Sequence, residues 1–502
     1  MGLLTSAANL YLSSRKKSID FFQSNSIHLQ RKLLKKLLYI SKKTSYGSKY
    51  NFKNITTYSS FAETVPIVSY EDLYPEINKI LNGKQNVLWP EKINWFAKSS
   101  GTTNDKSKYI PVSKTSLDEG HYKAGTDLLS IYLNNYSHSN LFDGKALALG
   151  GSKQINSVGR SNKIFTGDIS AVLLKNLPFW VEFFRTPGLS VTMMPEWEEK
   201  LYQMALITSK ENITNISGVP TWTIVLIKKI LELTKANNIL EVWPNLELFI
   251  HGAVSFNPYK KLFHQLIPST KMRYLETYNA SEGFFAVQDN PEKEEMLLLT
   301  DHGIFYEFEN TKTNKVVSLE SVEIGINYAL IITTNSGLWR YRIGDTIKFY
   351  SINPYRIKIS GRTKHFINAF GEELIIENAD KAMEKACKEH NVSFYNYTAG
   401  PVYISGNNKG RHEWFIEFIR TPDNINGFVN SLDNELKKLN SDYEAKRYKN
   451  IALEAPDVKC LSEGTFDKWL KKKNRLGGQN KIPRLSNNRK YLDDLYEMIS
   501  SD

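Results

Sequence analysis

Four short segments between residues 95 and 485 constrain this chain more than anything else in it. They are Ser99-Ser100-Gly101-Thr102-Thr103, Tyr278-Asn279-Ala280-Ser281-Glu282, Tyr341-Arg342-Ile343-Gly344-Asp345 and the basic stretch around Lys481. A fold in which they act together must return the backbone to one place four times. Their side chains are complementary: hydroxyls and glycine-freed amides for phosphates, an aromatic ring and a carboxylate for a base and a metal ion, an acid for ribose, and a lysine on a glycine-led turn. Together they form an inventory for handling ATP.

The elements around them alternate. Apolar runs at 146–149, 246–250 and 328–334 read as strands. Residues 221–233 read as a helix, with Ile224, Ile227, Leu231 and Thr234 on a 3.6-residue period and Pro220 ahead of a capping hydroxyl at Thr221. Strands alternating with helices point to the α/β class. Residues 5–45 read as one or two scaffold helices, on the spacing of Leu29, Leu33, Leu34, Leu37 and Leu38. At 502 residues the chain exceeds what one core ordinarily serves. Glycine and charge at Ser360-Gly361-Arg362-Thr363-Lys364 interrupt two apolar strand candidates, which predicts a large domain over 1–361 and a smaller one over 362–502. The latter holds an amphipathic helix through Ile376, Ala379, Met383 and Ala386, and strands near Tyr403 and 414–419.

Each segment has a functional and a plainer reading. Trp95-Phe96-Ala97 ends a strand and releases a hydroxyl-rich loop between Lys98 and Lys108, able to wrap a polyphosphate although it lacks the Walker pattern GxxxxGK[ST]; ordinary surface turns have the same composition. The ring of Tyr278 suits stacking on adenine and Glu282 suits magnesium, a hard cation that takes oxygen ligands; the competitor is a buried tyrosine beside a capping acid. Asp345, expected at a strand end, suits two ribose hydroxyls, or a plain salt bridge to a nearby arginine. Lys481, in Leu476-Gly477-Gly478-Gln479-Asn480-Lys481-Ile482-Pro483-Arg484, suits a developing negative charge, or belongs to a solvated basic tail.

Composition narrows the class. Hydrophobic residues at 41% and charged residues at 24% are globular averages, with no internal period. The two cysteines, Cys387 and Cys460, have no partner spacing, so neither a disulfide framework nor a cysteine zinc site is expected and a reducing cytoplasm is the natural compartment. No apolar run reaches membrane-spanning length, so no membrane partner is expected. A net charge of +12 invites nucleic acid, but most lysines interleave with acids, as in 380–385, the pattern of an exposed helix face. No nucleic-acid partner is expected.

In their order, these segments resemble the adenylate-forming superfamily of acyl-CoA synthetases, luciferases and adenylation domains. More closely, the chain resembles the Gretchen Hagen 3 family of acyl-acid amido synthetases, with Phe249-Ile250-His251-Gly252-Ala253-Val254-Ser255 and the hinge phrase Ser360 to Lys364, continued by Gly371-Glu372-Glu373-Leu374, as further matches. The resemblance implies an α/β fold: a large N-terminal domain of sheets with a distorted β-barrel, and a small C-terminal α/β lid. It also implies a monomeric cytoplasmic ligase that uses ATP and Mg2+ to join a carboxylic acid to an amine, an amino acid, through an acyl-adenylate. The implied roles are phosphate binding for Ser99, Ser100, Gly101, Thr102 and Thr103, adenine binding for Val254 and Tyr278 with Ser255 beside the base, and nucleotide binding for Asn279 and Ser281. Glu282 holds the metal, Asp345 the ribose, Arg362 contributes to nucleotide binding, Lys481 bridges α-phosphate and acid, and Lys364 is the hinge. Asn104-Asp105-Lys106 departs from the glycine-rich superfamily loop. Tyr122, Lys123 and Trp222 are candidates for the acyl pocket. A thioester-forming ligase and a non-catalytic nucleotide-binding protein are the alternative readings.

Overall fold

The computed structural model describes residues 3–99, 108–150, 156–157, 164–194, 196–362, 366–405, 408–472 and 483–500. Among them one sheet dominates. Its order is Val316–Ser318, Ile304–Asn310, Asn327–Thr334, Tyr341–Ile352, Tyr355–Arg362, Met296–Leu298, Gly283–Val287, Arg273–Ala280, Leu248–Gly252, Ile213–Ser217, Lys145–Ala148 and Arg185–Thr186. Neighbours are antiparallel from the first strand to Arg273–Ala280 and parallel from there on. The 273–280 strand is therefore the place where the sheet changes character. Asn327–Thr334 is buried at every position after the first, as a strand covered on both faces must be.

A second, four-stranded sheet carries Trp95–Ser99 between Lys108–Val112 and Phe165–Gly167. Ser99 opposes Lys108 and Ala97 opposes Gly167. Beyond residue 366 the chain builds separate small sheets: a hairpin of Phe366–Ile367 with Leu374–Ile375, and Phe394–Val402, Arg411–Phe418 and Asp457–Leu461, covered by the helices Ile376–Glu389 and Ile425–Leu439. This segment rests on the parallel half of the large sheet. Phe249, Phe263 and Trp243 share one apolar cluster with Phe370, Met383 and Trp414. At the seam, the Tyr259 hydroxyl donates to the Ala369 carbonyl at 2.6 Å, Tyr448 donates to Glu196 at 3.0 Å and Lys449 pairs with Glu198.

Three local expectations change. The 220–234 helix starts on Pro220 with Val219 as its cap, so Thr221 is inside the first turn and its hydroxyl donates to the Phe370 carbonyl instead; proline's fixed φ suits that first position. The 355–362 strand runs through Ser360 and Gly361 rather than stopping there, because a bulge opposite Thr346 and Ile347 absorbs the glycine at φ 148°. Asp345 is not at a strand end but five residues into Tyr341–Ile352.

Arg340 holds the start of that strand. Its guanidinium makes paired hydrogen bonds to buried Glu307 at 2.8 and 2.9 Å and donates to the carbonyls of Ala62 and Val65 at 2.7 and 2.6 Å, while its backbone sits in the left-handed region at φ 44°.

Candidate functional site

Ser281 and Glu282 form the two-residue tip between the 273–280 and 283–287 strands, with Ala280 opposing Gly283. One strand over, Leu248–Gly252 runs parallel to 273–280 and ends beside it, tied by the Thr277 hydroxyl to the His251 carbonyl at 3.0 Å. Gly252 permits that closeness: a Cβ there would lie 2.6 Å from the Thr277 carbonyl oxygen. Carboxyl ends of parallel strands are where α/β sheets open a ligand crevice, and here that crevice lies against the antiparallel half.

Asp345 enters it from the antiparallel side. The Tyr278 hydroxyl donates to Asp345 Oδ2 at 2.6 Å, and its ring packs against Phe285 with centroids 4.7 Å apart. Arg342, the arginine near Asp345 in sequence, pairs with Glu309 at 2.6 Å. The Tyr278 hydroxyl thus fixes the Asp345 carboxylate at the cleft.

The electrostatics follow from burial. Removal from water pushes half-buried Glu282 up to about 7; Lys108 pulls it back, while Asp345 and Glu373 push the same way as burial. Burial also pushes Glu276 up to about 6, with Glu294 adding to it and Lys260 and Lys358 opposing. His251 is pushed down to about 3 by burial, and as a neutral ring it stacks on Phe256 at 4.2 Å, its Nδ1 enclosed without a partner among the described residues. Carboxylates pushed up by burial, with neighbouring acids adding to it, form a setting that a cation would relieve. Among the described residues no group of three or more His, Cys, Asp or Glu forms a metal cage. One carboxylate completed by substrate phosphates is the arrangement magnesium ordinarily uses, so the residues fit that ion and not an all-protein site.

The cleft has a volume of about 1000 Å³. Val254, Ser255, Tyr278, Asn279, Ser281, Glu282 and Asp345 all line it, with Lys98 and Lys108 from the four-stranded sheet. Ser99 ends its strand beside Lys108, and the backbone of Arg362 opposes Asp345. Ser100, Gly101, Thr102, Thr103, Lys364 and Lys481 lie outside the described residues, as do the side chains of Ser99 and Arg362. Asn487, six residues beyond Lys481, lines the cleft together with Asn368, Glu373, Tyr403 and Asp442 from the C-terminal segment. Sequence reasoning assigned these five no site role, nor Asp168, which lines the cleft at the start of the Ile169–Lys175 helix. Only Glu373 carried a signal, as part of the hinge phrase.

The three acyl-pocket candidates have other engagements. Tyr122 donates to the Leu173 carbonyl at 2.9 Å, Lys123 pairs with Asp301 at 2.8 Å, and Trp222 lies beneath Lys446, whose ammonium is 4.7 Å from the ring centroid.

Comparison with known proteins agrees with this geometry. The structure superposes on the AtGH3.15 acyl acid amido synthetase in complex with 2,4-DB with a TM-score of 0.63 at 18% identity, covering 97% of this chain and 96% of that one. It also superposes on a 2-hydroxyisobutyryl-CoA ligase with a TM-score of 0.57 at 12% identity, over 94% and 92%. These likenesses show that the α/β fold is shared with both of those enzymes. In sequence the chain is 23% identical to the probable indole-3-acetic acid-amido synthetase GH3.1 of Arabidopsis thaliana, over 93% of this chain and 90% of that protein. It is 22% identical to the 4-substituted benzoates-glutamate ligase GH3.12 of the same plant, over 95% and 96%. The GH3 family N-terminal domain matches residues 15–272, the central domain 297–362 and the C-terminal domain 377–490. With the first of these alone spanning more than half of its length, the chain belongs to the GH3 family.

Proposed function

We propose that this chain is an ATP-dependent ligase that activates a carboxylic acid as its acyl-adenylate and transfers the acyl group to the amine of an amino acid. The observation that carries this reading is the Tyr278–Asp345 hydrogen bond beside Glu282, in one cleft with Val254 and Ser255. Asp345, held by Tyr278, receives the ribose hydroxyls, and the neutral His251 and Val254 side of the cleft takes the base. Lys98 and Lys108, with the hydroxyls and amides of Ser99 to Thr103, are the groups that bind the phosphates. Glu282 would hold Mg2+, which would supply positive charge to those phosphates.

Both adenylation reactants are anions, so the protein's contribution is to hold them in line against their repulsion and to neutralise charge where it develops. Lys481 bridges the α-phosphate and the attacking acid, Arg362 supports the nucleotide, and residues 362–502 form a lid that turns about Lys364 between the two half-reactions. The enzyme is read as a cytoplasmic monomer with no nucleic-acid partner.

Two variants probe these roles. Tyr278→Phe keeps the ring's packing on Phe285 and removes only the donor to Asp345, so the KM for ATP should rise about tenfold, the worth of one hydrogen bond to a charged group; an unchanged KM would place the ribose elsewhere. Lys481→Ala should slow acid-dependent pyrophosphate exchange by about 10- to 100-fold while ATP binding holds. Equal exchange would make the lysine solvated surface. The reading as a whole is tested by measuring pyrophosphate release over a panel of carboxylic acids crossed with amino acids and coenzyme A. Amide products support it; thioester products in their place would replace it with a coenzyme A ligase.

A further inference from the structure

A second cavity, of about 290 Å³, lies between the Ser26–Ser41 helix and the Ile304–Asn310 strand. It shares no lining residue with the nucleotide cleft among those described. Its apolar wall is made by Ile27, Leu34, Leu38, Phe305 and Leu319, all but Ile27 fully buried. Close packing ordinarily removes such a void. Here Gln30, which also lines it and is only 2% exposed, sets the spacing of helix and strand. Its amide donates to the Thr300 and Ile304 carbonyls at 2.9 and 2.8 Å and accepts the Tyr306 N–H at 2.9 Å.

With those bonds made, the Gln30 amide has little left for a water molecule, and the aliphatic and aromatic wall has nothing to add. A buried water needs two to four polar partners, so the interior favours an apolar group. The rim is different. Arg31 and Lys35, one helical turn apart, stand on it with Thr56, Ser318 and Glu320. Arg31 pairs with Glu320, whereas exposed Lys35 has no hydrogen-bonding or charged partner among the described residues. The helix itself carries Arg31, Lys32, Lys35 and Lys36 and no acid, so the positive charge at Lys35 is not offset from its own element.

An apolar interior behind a cationic rim is complementary to an amphipathic anion. We propose that this cavity binds a small carboxylic acid with an apolar body, the body against Leu34 and Phe305 and the carboxylate at Lys35. The proposal goes beyond the ligase reading and does not depend on it. An occupant would also meet Tyr58, which lines the cavity with its ring 6.1 Å from that of Phe305 and its hydroxyl donating to Glu307 at 3.1 Å. Glu307 pairs with Arg340 at the start of the strand that carries Asp345. The site is thus connected to a buried ion pair of the large sheet, and filling it should stabilise the folded chain.

The test uses the full-length protein and an octanoate that carries a diazirine on its chain. Light-induced labelling should fall on peptides covering residues 26–41 or 304–320. Excess octanoate should suppress it, and octanol, which has the same body without the charge, should compete about tenfold more weakly. Lys35→Glu, a change at an exposed position, should weaken labelling about tenfold, and Ser318→Phe, on the edge strand of the large sheet, should block the mouth and abolish it. Saturating octanoate should raise the melting temperature of the wild type by a few degrees and that of Ser318→Phe by less. Labelling confined to peptides of the nucleotide cleft overturns the proposal, as do equal competition by octanol and unchanged labelling of Lys35→Glu. Binding to phosphatidylglycerol vesicles without labelling by octanoate also overturns it, in favour of a lipid surface at the same cations.

Discussion

Glu282→Ala is expected to lower acid-dependent pyrophosphate exchange by on the order of 10²–10³-fold, the size of effect seen when one preorganised charge-stabilising group is removed from a reacting site. The residue is at the tip of the 273–280/283–287 hairpin and half-buried. Truncating it leaves the hairpin's ladder untouched, so the loss should appear in activity and not in the melting temperature. Glu282→Gln, which keeps the volume and removes the charge, should behave like alanine, whereas Glu282→Asp should retain partial exchange and demand more Mg2+. That dependence separates a metal ligand from a residue that only shapes the turn. Unimpaired exchange in both Glu282→Ala and Glu282→Gln would move the metal to another carboxylate in the cleft, Asp345 being nearest in role.

The sequence reported chemistry better than position. Tyr278, Glu282 and Asp345 were identifiable because each type suits one part of a nucleotide, and long-range pairing then brings them together: Tyr278 bonds to a carboxylate 67 residues away. Asp345 was expected at a strand end because glycine precedes it, yet Gly344, at φ 96°, is absorbed within the strand. Pattern alone does not distinguish a glycine that ends a strand from one that bends it. Arg342 fits as a partner for Asp345 by nearness in sequence, which says nothing about Glu309 on another strand of the sheet. Glu276, Asn368 and Asn487 left no trace because single polar residues acquire meaning only from the elements that converge on them. The helices were easier. Ile376, Ala379, Met383 and Ala386 recur at helical spacing; the last three are buried on one face of Ile376–Glu389 and Ile376 packs partly buried against the same core, since one continuous element buries one stripe.

Arg340→Met is expected to destabilise the large domain by about 3–5 kcal/mol, the usual consequence of leaving one member of a buried ion pair without its partner. The pair is almost fully enclosed, with 6% of the Arg340 side chain and 1% of that of Glu307 exposed. Removing the guanidinium would strand a carboxylate and two carbonyls, of Ala62 and Val65, that it now satisfies. Tyr58 still donates to Glu307 at 3.1 Å, a neutral bond that offsets little of a buried charge. Against a total stability of about 5–15 kcal/mol, that loss is decisive. Fully buried Trp339, adjacent in sequence and packed against Phe52 at 4.5 Å, provides the fluorescence probe for a denaturant midpoint. Adding Glu307→Gln to Arg340→Met removes the stranded charge and should restore part of the loss; a double variant no more stable than the single one would mean that the carbonyl contacts dominate. Because Asp345 lies on the strand whose start Arg340 holds, a folded Arg340→Met protein should also bind ATP less tightly. A midpoint shift below about 1 kcal/mol, the range of an exposed pair, would show that water reaches Glu307 and that Arg340 does not set the strand that carries the ribose acid.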